Sequence, residues 1–373
     1  MFSLSVGATA MCMLASLSFL NLPSEAVPAA VEASVFNGGK AYEPAAAVEA
    51  AGQELPGEVI PLGSTFGIKL FTDGVIVASL SDIYTGDGVR CPASEAGIKP
   101  GDYLLEANGK TIAGNADLAH SIGSSAGKPI MLKIRRGEKI WEAEVTPVYG
   151  EGSFKTGMWV RDSAAGIGTL TFFDPASGGF AGLGHGICDM DTSGVMSLKS
   201  GEPAPTSLCG ILKGEAEHPG QLKGYFSSDE AMGRLLTNNE TGVYGTLDQP
   251  PAGKALEVLS REKVICGPVK ILTTVDESGP KYYDAEIQRV SAKNQPTKNL
   301  ILKVTDPRLL ELTGGIVQGM SGSPILQDGK LCGAVTHVFT DDPTMGYGIF
   351  AETMLEQCRG AIQREKEAQR NAA

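Results

Sequence analysis

Charge is absent from the first 24 residues. Met1–Leu22 is apolar or small, and Pro23-Ser24-Glu25-Ala26 breaks the run. The basic segment usual before such a run is missing, so the start is expected to be internal to a longer gene product. Such a run is long enough for a signal peptide or a single membrane anchor, and it shows no amphipathic period. Residues 1–22 are therefore expected to export the chain, with membrane association through the N-terminus; a buried core helix is the alternative. Basic residues are also short: Lys and Arg number 31 against 43 Asp and Glu, giving a net charge of −12. No basic stripe is available for phosphates, so nucleic acid is excluded as the main partner. Seven cysteines form no C-x-x-C pair, which removes the zinc and thioredoxin signatures and leaves buried thiols as the expectation. "DMD" at 189–191 lacks the D-x-D-x-D-G…E spacing of a calcium loop. No metal and no cofactor is expected.

Glycine and proline are plentiful, at 48 and 21, and apolar residues make up 42%. That composition implies a globular, mainly β chain of short strands and many turns. Residues 23–57, rich in Ala, Glu, Pro and Val, read as a linker. From 58 to 148 the order is a strand in "VIPLGSTFGIKLF", a buried strand in "GVIVASL", and a short helix and turn in "ASEAGIKPGD". An Asn108-Gly109 hairpin, a helix capped by Asn115 with Leu118 and Ile122 on one face, and two alternating strands around Arg136-Gly137 follow. The A-G-I-K-P-G-D segment followed by N-G resembles a PDZ domain, an α+β module. That resemblance implies a groove that takes an extended peptide end by strand addition. The loop for the peptide carboxylate is expected at Ser64, Thr65, Phe66 and Gly67.

Residues 151–373 are again β-rich, with strands in "GIGTLTFFD", "GFAGLGHGICD", "KVICGPVKILTTV", "KYYDAEIQRV", "NLILKVTD", "GKLCGAVTHVF" and "GYGIFAE". This series suggests an all-β sandwich or barrel. Glu352–Arg370 is helical in composition and is expected to be mostly a solvated face.

Only four histidines exist, so a general base can be sought by elimination. His120 lies off the apolar face of its helix, His218 sits in a charged loop, and His337 reads as structural. His185 stands between Gly184 and Gly186, where the backbone can bend and present the ring; it is a structural histidine or a base. Ser321 lies in Gly319-Met320-Ser321-Gly322-Ser323-Pro324, either a bare turn or a presented nucleophile. A serine hydroxyl needs a base to take its proton and amides aimed at the developing oxyanion. Gly319 and Ser321 can supply those amides.

The hexapeptide resembles the nucleophile loop of chymotrypsin-like serine peptidases. "VRDSAAGIGTLTFFDP", "GLGHGI", "TGGIVQGMSGSPI" and "GAVTHVF…DPTMGYGI" together resemble the stage IV sporulation protein B peptidase family. Met320 and Ser323 match that family's version of the loop. The resemblance implies a PDZ domain followed by a chymotrypsin-like, all-β double-barrel serine endopeptidase. It implies Ser321 as nucleophile, His185 as base and Asp306 as the orienting acid. By its local sequence Asp306 reads instead as a turn cap before Pro307 or an N-cap for "PRLLEL", and Asp174, Asp189 and Asp191 are rivals. The resemblance further implies export into the space between forespore and mother cell, cleavage of a membrane-bound regulatory protein, self-cleavage near the N-terminus, and activation of a late mother-cell sigma factor. Two other readings stand beside it: an exported quality-control protease, and a non-catalytic PDZ adaptor.

Overall fold

The computed structural model describes residues 57–291 and 296–372. The expected export segment, 1–22, and all but the last residue of the linker, 23–57, lie outside them. Among the described residues no helix is long and apolar enough to cross a membrane.

Two long strands organise the molecule. Thr65–Leu80 and Met158–Asp174 run antiparallel from Thr65 opposite Thr169 to Met158 opposite Leu80. In the first, Phe66, Ile68 and Leu70 alternate inward, as a half-buried strand requires. Further along, Val75, Ile76, Val77 and Ala78 are all buried, because both faces of the strand are covered there. The ribbon passes out of one module and into another.

Its far end carries the PDZ module. Tyr103–Ala107, Ile130–Arg136 and Lys139–Val145 extend the sheet in turn. The helix Asn115–Ser124 lays Leu118 onto a core containing Val75, Leu104 and Ile134. The Lys-Pro-Gly-Asp turn is held by its aspartate. Asp102 is fully buried, accepts from the Lys99 amide at 2.9 Å, and pairs with Arg136 at 2.6 Å. A buried carboxylate is tolerable only when so paired. Asn115 does not cap the helix as expected. It is the first helical residue, and its amide donates to the Asp162 carboxylate at 2.8 Å.

The near end belongs to the peptidase half, which corrects the expected PDZ domain of 58–148. Glu58–Pro61 pairs with Phe172 and Phe173 and with Leu256 and Glu257. Phe66, Ile68 and Leu70 share a core with Phe173, Phe180 and Leu235. Ser64, Thr65, Phe66 and Gly67 therefore form no peptide loop. Thr65, Phe66 and Gly67 pair with the second long strand, and Phe66 is wholly buried. The module is inserted between two strands of the peptidase.

Six strands close into a barrel in the order Gly267–Thr273, Lys281–Val290, Leu300–Val304, Met345–Phe350, Lys330–Val338, Pro324–Gln327. The other half of the expected double barrel curls round in the order Gly233–Asn239, Gly242–Leu247, Gly179–Gly182, Met158–Asp174, Thr65–Leu80, Ser200–Ala204; its two end strands come together without a ladder, and the Met232 amide donates to the Pro203 carbonyl at 2.7 Å. The helix Ala351–Ala372 also departs from expectation. Its Met354, Leu355, Cys358 and Ala361 are buried against Val59, Phe172 and Leu331. Each fully buried Leu or Met there contributes roughly 1.5–3 kcal/mol. Of the described cysteines only Cys332 and Cys358 are buried, while Cys209 and Cys266 are exposed.

Candidate active site

The helix Pro307–Thr313 ends at Gly314 in the left-handed conformation, φ 76°. The chain then enters the loop that holds Ser321. Met320 is fully buried and anchors this loop in the barrel core with Ile316 and Val317. An apolar anchor at this position needs no charged partner.

The carbonyls of the loop are held one by one. Gln318 O accepts from the Leu222 amide at 2.9 Å. Met320 O accepts from the Ser323 amide at 2.9 Å and the Ser323 hydroxyl at 2.6 Å. In a planar trans peptide the next N–H points opposite the carbonyl. The amides of Gly319 and Ser321 are thereby turned away from these partners, and among the described residues nothing accepts from either. Two oriented, unspent amides are the requirement for stabilising an oxyanion. Thr169 locks the loop from the long strand: its hydroxyl donates to Gly319 O at 2.8 Å and its amide to Ser321 O at 3.0 Å. Gly319 and Gly322 have φ of 100° and 95°. A Cβ on Gly322 would lie 2.2 Å from the Thr169 carbonyl oxygen.

His185 arrives from the other side. It follows Gly179–Gly182 through Leu183 and Gly184, both left-handed at φ 68° and 73°. A leucine held there stores about 1–3 kcal/mol of strain, and it turns the chain sharply. His185 is 5% exposed and its Nδ1 lies 2.9 Å from the Gly186 carbonyl oxygen. A proton on Nδ1 satisfies that carbonyl and leaves Nε2 as the proton acceptor. Burial lowers the His185 pKa. The ring of His337 stands 5.0 Å away, tilted by 37°. Burial, then the charges of His185 and Lys298, push His337 down to about 3.

Ser321 and His185 both lie against the strand Lys330–Val338, Ser321 at Thr336 and the His185 ring beside His337. The Ser321 hydroxyl donates to the Thr336 carbonyl at 2.7 Å, and His337 follows in the strand Lys330–Val338. The hydroxyl is thus parked on a backbone oxygen in this conformation.

Asp306 is held within its own segment and by the neighbouring strand. It caps the helix Pro307–Thr313, accepting from the Arg308 amide at 2.9 Å and the Asp284 amide at 3.1 Å. The Arg308 guanidinium binds both its oxygens, at 3.0 and 2.7 Å. Hydrogen bonds from Arg308, more than the opposing burial, hold this carboxyl well below the usual range. No hydrogen bond joins it to His185. The rivals are also engaged elsewhere: Asp174 with Arg359, and Asp189 and Asp191 with Arg161. His120 and His218 are exposed and apart from this cluster. Thr169, Leu222 and Thr336 escaped sequence reasoning because each acts through distant chain. Ser323 lay inside the motif, and its hydroxyl was the available signal.

The fold and site define a serine peptidase carrying a PDZ module. Residues 152–355 match the SpoIVB peptidase S55 family and residues 88–136 match a PDZ domain. The chain belongs to the SpoIVB peptidase S55 family. It is 33% identical over 94 residues to a putative zinc metalloprotease, LL2128, of Lactococcus lactis subsp. lactis (strain IL1403); that match spans 25% of this chain and about a fifth, 21%, of the relative. Among solved structures it overlaps the active form of the Rv3671c protease from M. tuberculosis at 13% identity and TM-score 0.32, covering 53% of this chain and 74% of that one. The HtrA-type protease AlgW with tripeptide overlaps at 13% identity and TM-score 0.32, over 55% and 57%.

Proposed function

We propose that the chain is an endopeptidase in which Ser321 attacks a peptide carbonyl and His185 takes its proton on Nε2. The observation that carries the reading is the pair of oriented, unspent amides of Gly319 and Ser321 beside the serine hydroxyl. As a substrate carbonyl enters, rotation about the serine χ1 moves the hydroxyl from the Thr336 carbonyl to the imidazole. The hydroxyl oxygen bonds to the carbonyl carbon, and the two amides receive the oxyanion. His185 then gives the proton to the leaving amine, and water releases the acyl group by the same path in reverse. The Gly186 carbonyl, accepting from Nδ1, takes the tautomer-fixing part that an acid takes in other serine peptidases.

Membership of the family supports a role in endospore formation. In this reading the protein is exported to the space between forespore and mother cell. It cleaves itself near the N-terminus and cuts a membrane-bound regulator, so that a late mother-cell sigma factor becomes active. N-terminal mapping of the purified protein and of the co-incubated regulator, with wild type beside Ser321→Ala, tests both parts. Defined new termini only in the wild type are expected. Cleavage that persists in Ser321→Ala removes the serine mechanism. Self-cleavage with an intact regulator removes the signalling role alone.

A further inference from the structure

The long strand Met158–Asp174 has two edges. One is filled along its length by Thr65–Leu80 and Glu58–Pro61. The other pairs with Gly179–Gly182 only from Leu170 to Asp174. From Met158 to Gly168 that second edge has no strand partner among the described residues; it is regular from Ser163 to Gly168, and its register against Thr65–Leu80 shifts between Arg161 and Ser163 and between Trp159 and Val160. Thr169 turns its amide and carbonyl to this edge, toward Ser321 and Leu183. By the two-residue alternation of antiparallel strands, Ile167, Ala165 and Ser163 face the same way. The Phe71 carbonyl, opposite Ser163, is taken on its far side by the Lys199 amide, which fits this phase.

Each end of the open edge meets a site. At the C-terminal end stands the nucleophile loop. At the N-terminal end the edge faces the helix Asn115–Ser124, which Asp162 ties to the strand. Met158, Val160 and Ile122 pack half-buried on the PDZ core between strand and helix. Just before them, the Thr156 and Gly157 carbonyls are held by the Ala93 and Ser81 amides at 2.9 and 2.8 Å. Gly157 is left-handed at φ 82°, and the Met158 amide is turned away from Ser81 toward the groove mouth. A turned backbone of this kind captures a terminal carboxylate. Between the ends lies a cavity of about 430 Å³, walled by Ala165, Ile167, Leu183, Ile187 and Met196. It is mainly apolar and has the volume for a large side chain.

We propose that this edge, with its kink at Asp162, is one track for an extended substrate with a free C-terminus. The carboxylate seats at Gly157–Met158, the chain runs antiparallel to the strand, and the bond cut lies at Ser321. A backbone edge is complementary only to another extended backbone, and the carboxylate turn fixes its direction. The twelve positions from Gly157 to Thr169 span roughly 40 Å at ~3.3 Å per residue, so the cut falls about a dozen residues before the C-terminus. The apolar cavity takes a side chain within about four residues after the cut bond. Cleavage on the track rests on the peptidase reading above; occupancy of the track does not.

The test uses the full chain and peptides that share one cleavage sequence, with tails of about 4 to 20 residues to bracket the track. Each tail ends in a carboxylate or an amide. We expect kcat/KM to peak near a dozen residues and to fall on the order of tenfold on amidation, the loss of a charge-assisted contact. Ala165→Pro removes an open-edge amide without touching the ladder to Thr65–Leu80, and should flatten the peak. A rate indifferent to tail length and terminus overturns the proposal. Hydrogen exchange on Ser321→Ala gives a readout independent of catalysis. A long carboxylate-ended peptide should slow exchange at Ser163, Ala165 and Ile167, whereas a tail too short to leave the groove should not. Failure of any peptide to be cut, with protection at those amides, sinks the peptidase reading and keeps the track. Absence of protection sinks the track whatever the rates.

Discussion

Thr169 illustrates how much rests on single side chains here. Its hydroxyl and amide grip the carbonyls of Gly319 and Ser321, yet it is not expected to touch the reacting atoms. Thr169→Val keeps the shape and the amide bond and loses the hydroxyl bond. Its kcat should fall about tenfold with KM little changed, short of the 10²–10³-fold loss of a whole oxyanion donor. Thr169→Ser should recover most of it. Equal losses in both variants would assign Thr169 to packing alone. His185 carries a pH prediction. Burial favours its neutral form, so the base is ready at lower pH than an ordinary histidine. The acid limb of kcat/KM should lie below about 6.5. A limb above pH 7 would mean that an acidic partner raises the ring. Asp306 makes the opposite kind of claim. Its folded pKa is depressed, so its contribution to stability is present above the unfolded value of about 3.9 and lost as pH falls below it. Asp306→Ala should remove about 1 kcal/mol of capping and lower the melting temperature and activity together. Activity lost with an unchanged melting curve would restore Asp306 as the orienting acid.

Among elements, the nucleophile loop was the most legible in the sequence. Glycines flanking Ser321 announced close backbone approach, and Gly322 meets it against Thr169 and Leu183. Gly322→Ala should be inactive and less stable, since its left-handed φ alone costs about 1–3 kcal/mol before the clash. A fully active alanine variant would show that the loop is mobile in solution. The strands were legible too, because period-two burial is written locally in Phe66, Ile68 and Leu70. Their partners were not. "STFGIKLF" fits a PDZ strand or a peptidase strand equally by pattern, and only pairing with Thr169 and its neighbours decides between them. The cap at Asp306 was legible as well, because an acid before Pro307 caps a helix by local chemistry. The C-terminal helix misled by composition, because its buried stripe is built from Ala, Met and Cys as well as Leu.

At the scale of the molecule, the PDZ module is an insertion whose ribbon is shared with the peptidase. A chain that starts after residue 150 would lack Thr65–Leu80 and with it the buried Phe66 and Leu70 of the peptidase core. Loss of large core side chains costs about 3–5 kcal/mol each, more than a domain can spare several times over. That truncation should fail to give a cooperative melt, and a stable, active fragment would refute the shared ribbon. The central claim is that Ser321 is a nucleophile activated by His185. Its most direct measurement is intact-mass analysis after treatment with a fluorophosphonate, followed by mapping of the modified peptide. The account predicts one adduct per chain on Ser321, lost in Ser321→Ala and strongly slowed in His185→Ala. An unlabelled wild-type protein, or labelling of Ser321 at full rate without His185, would contradict it.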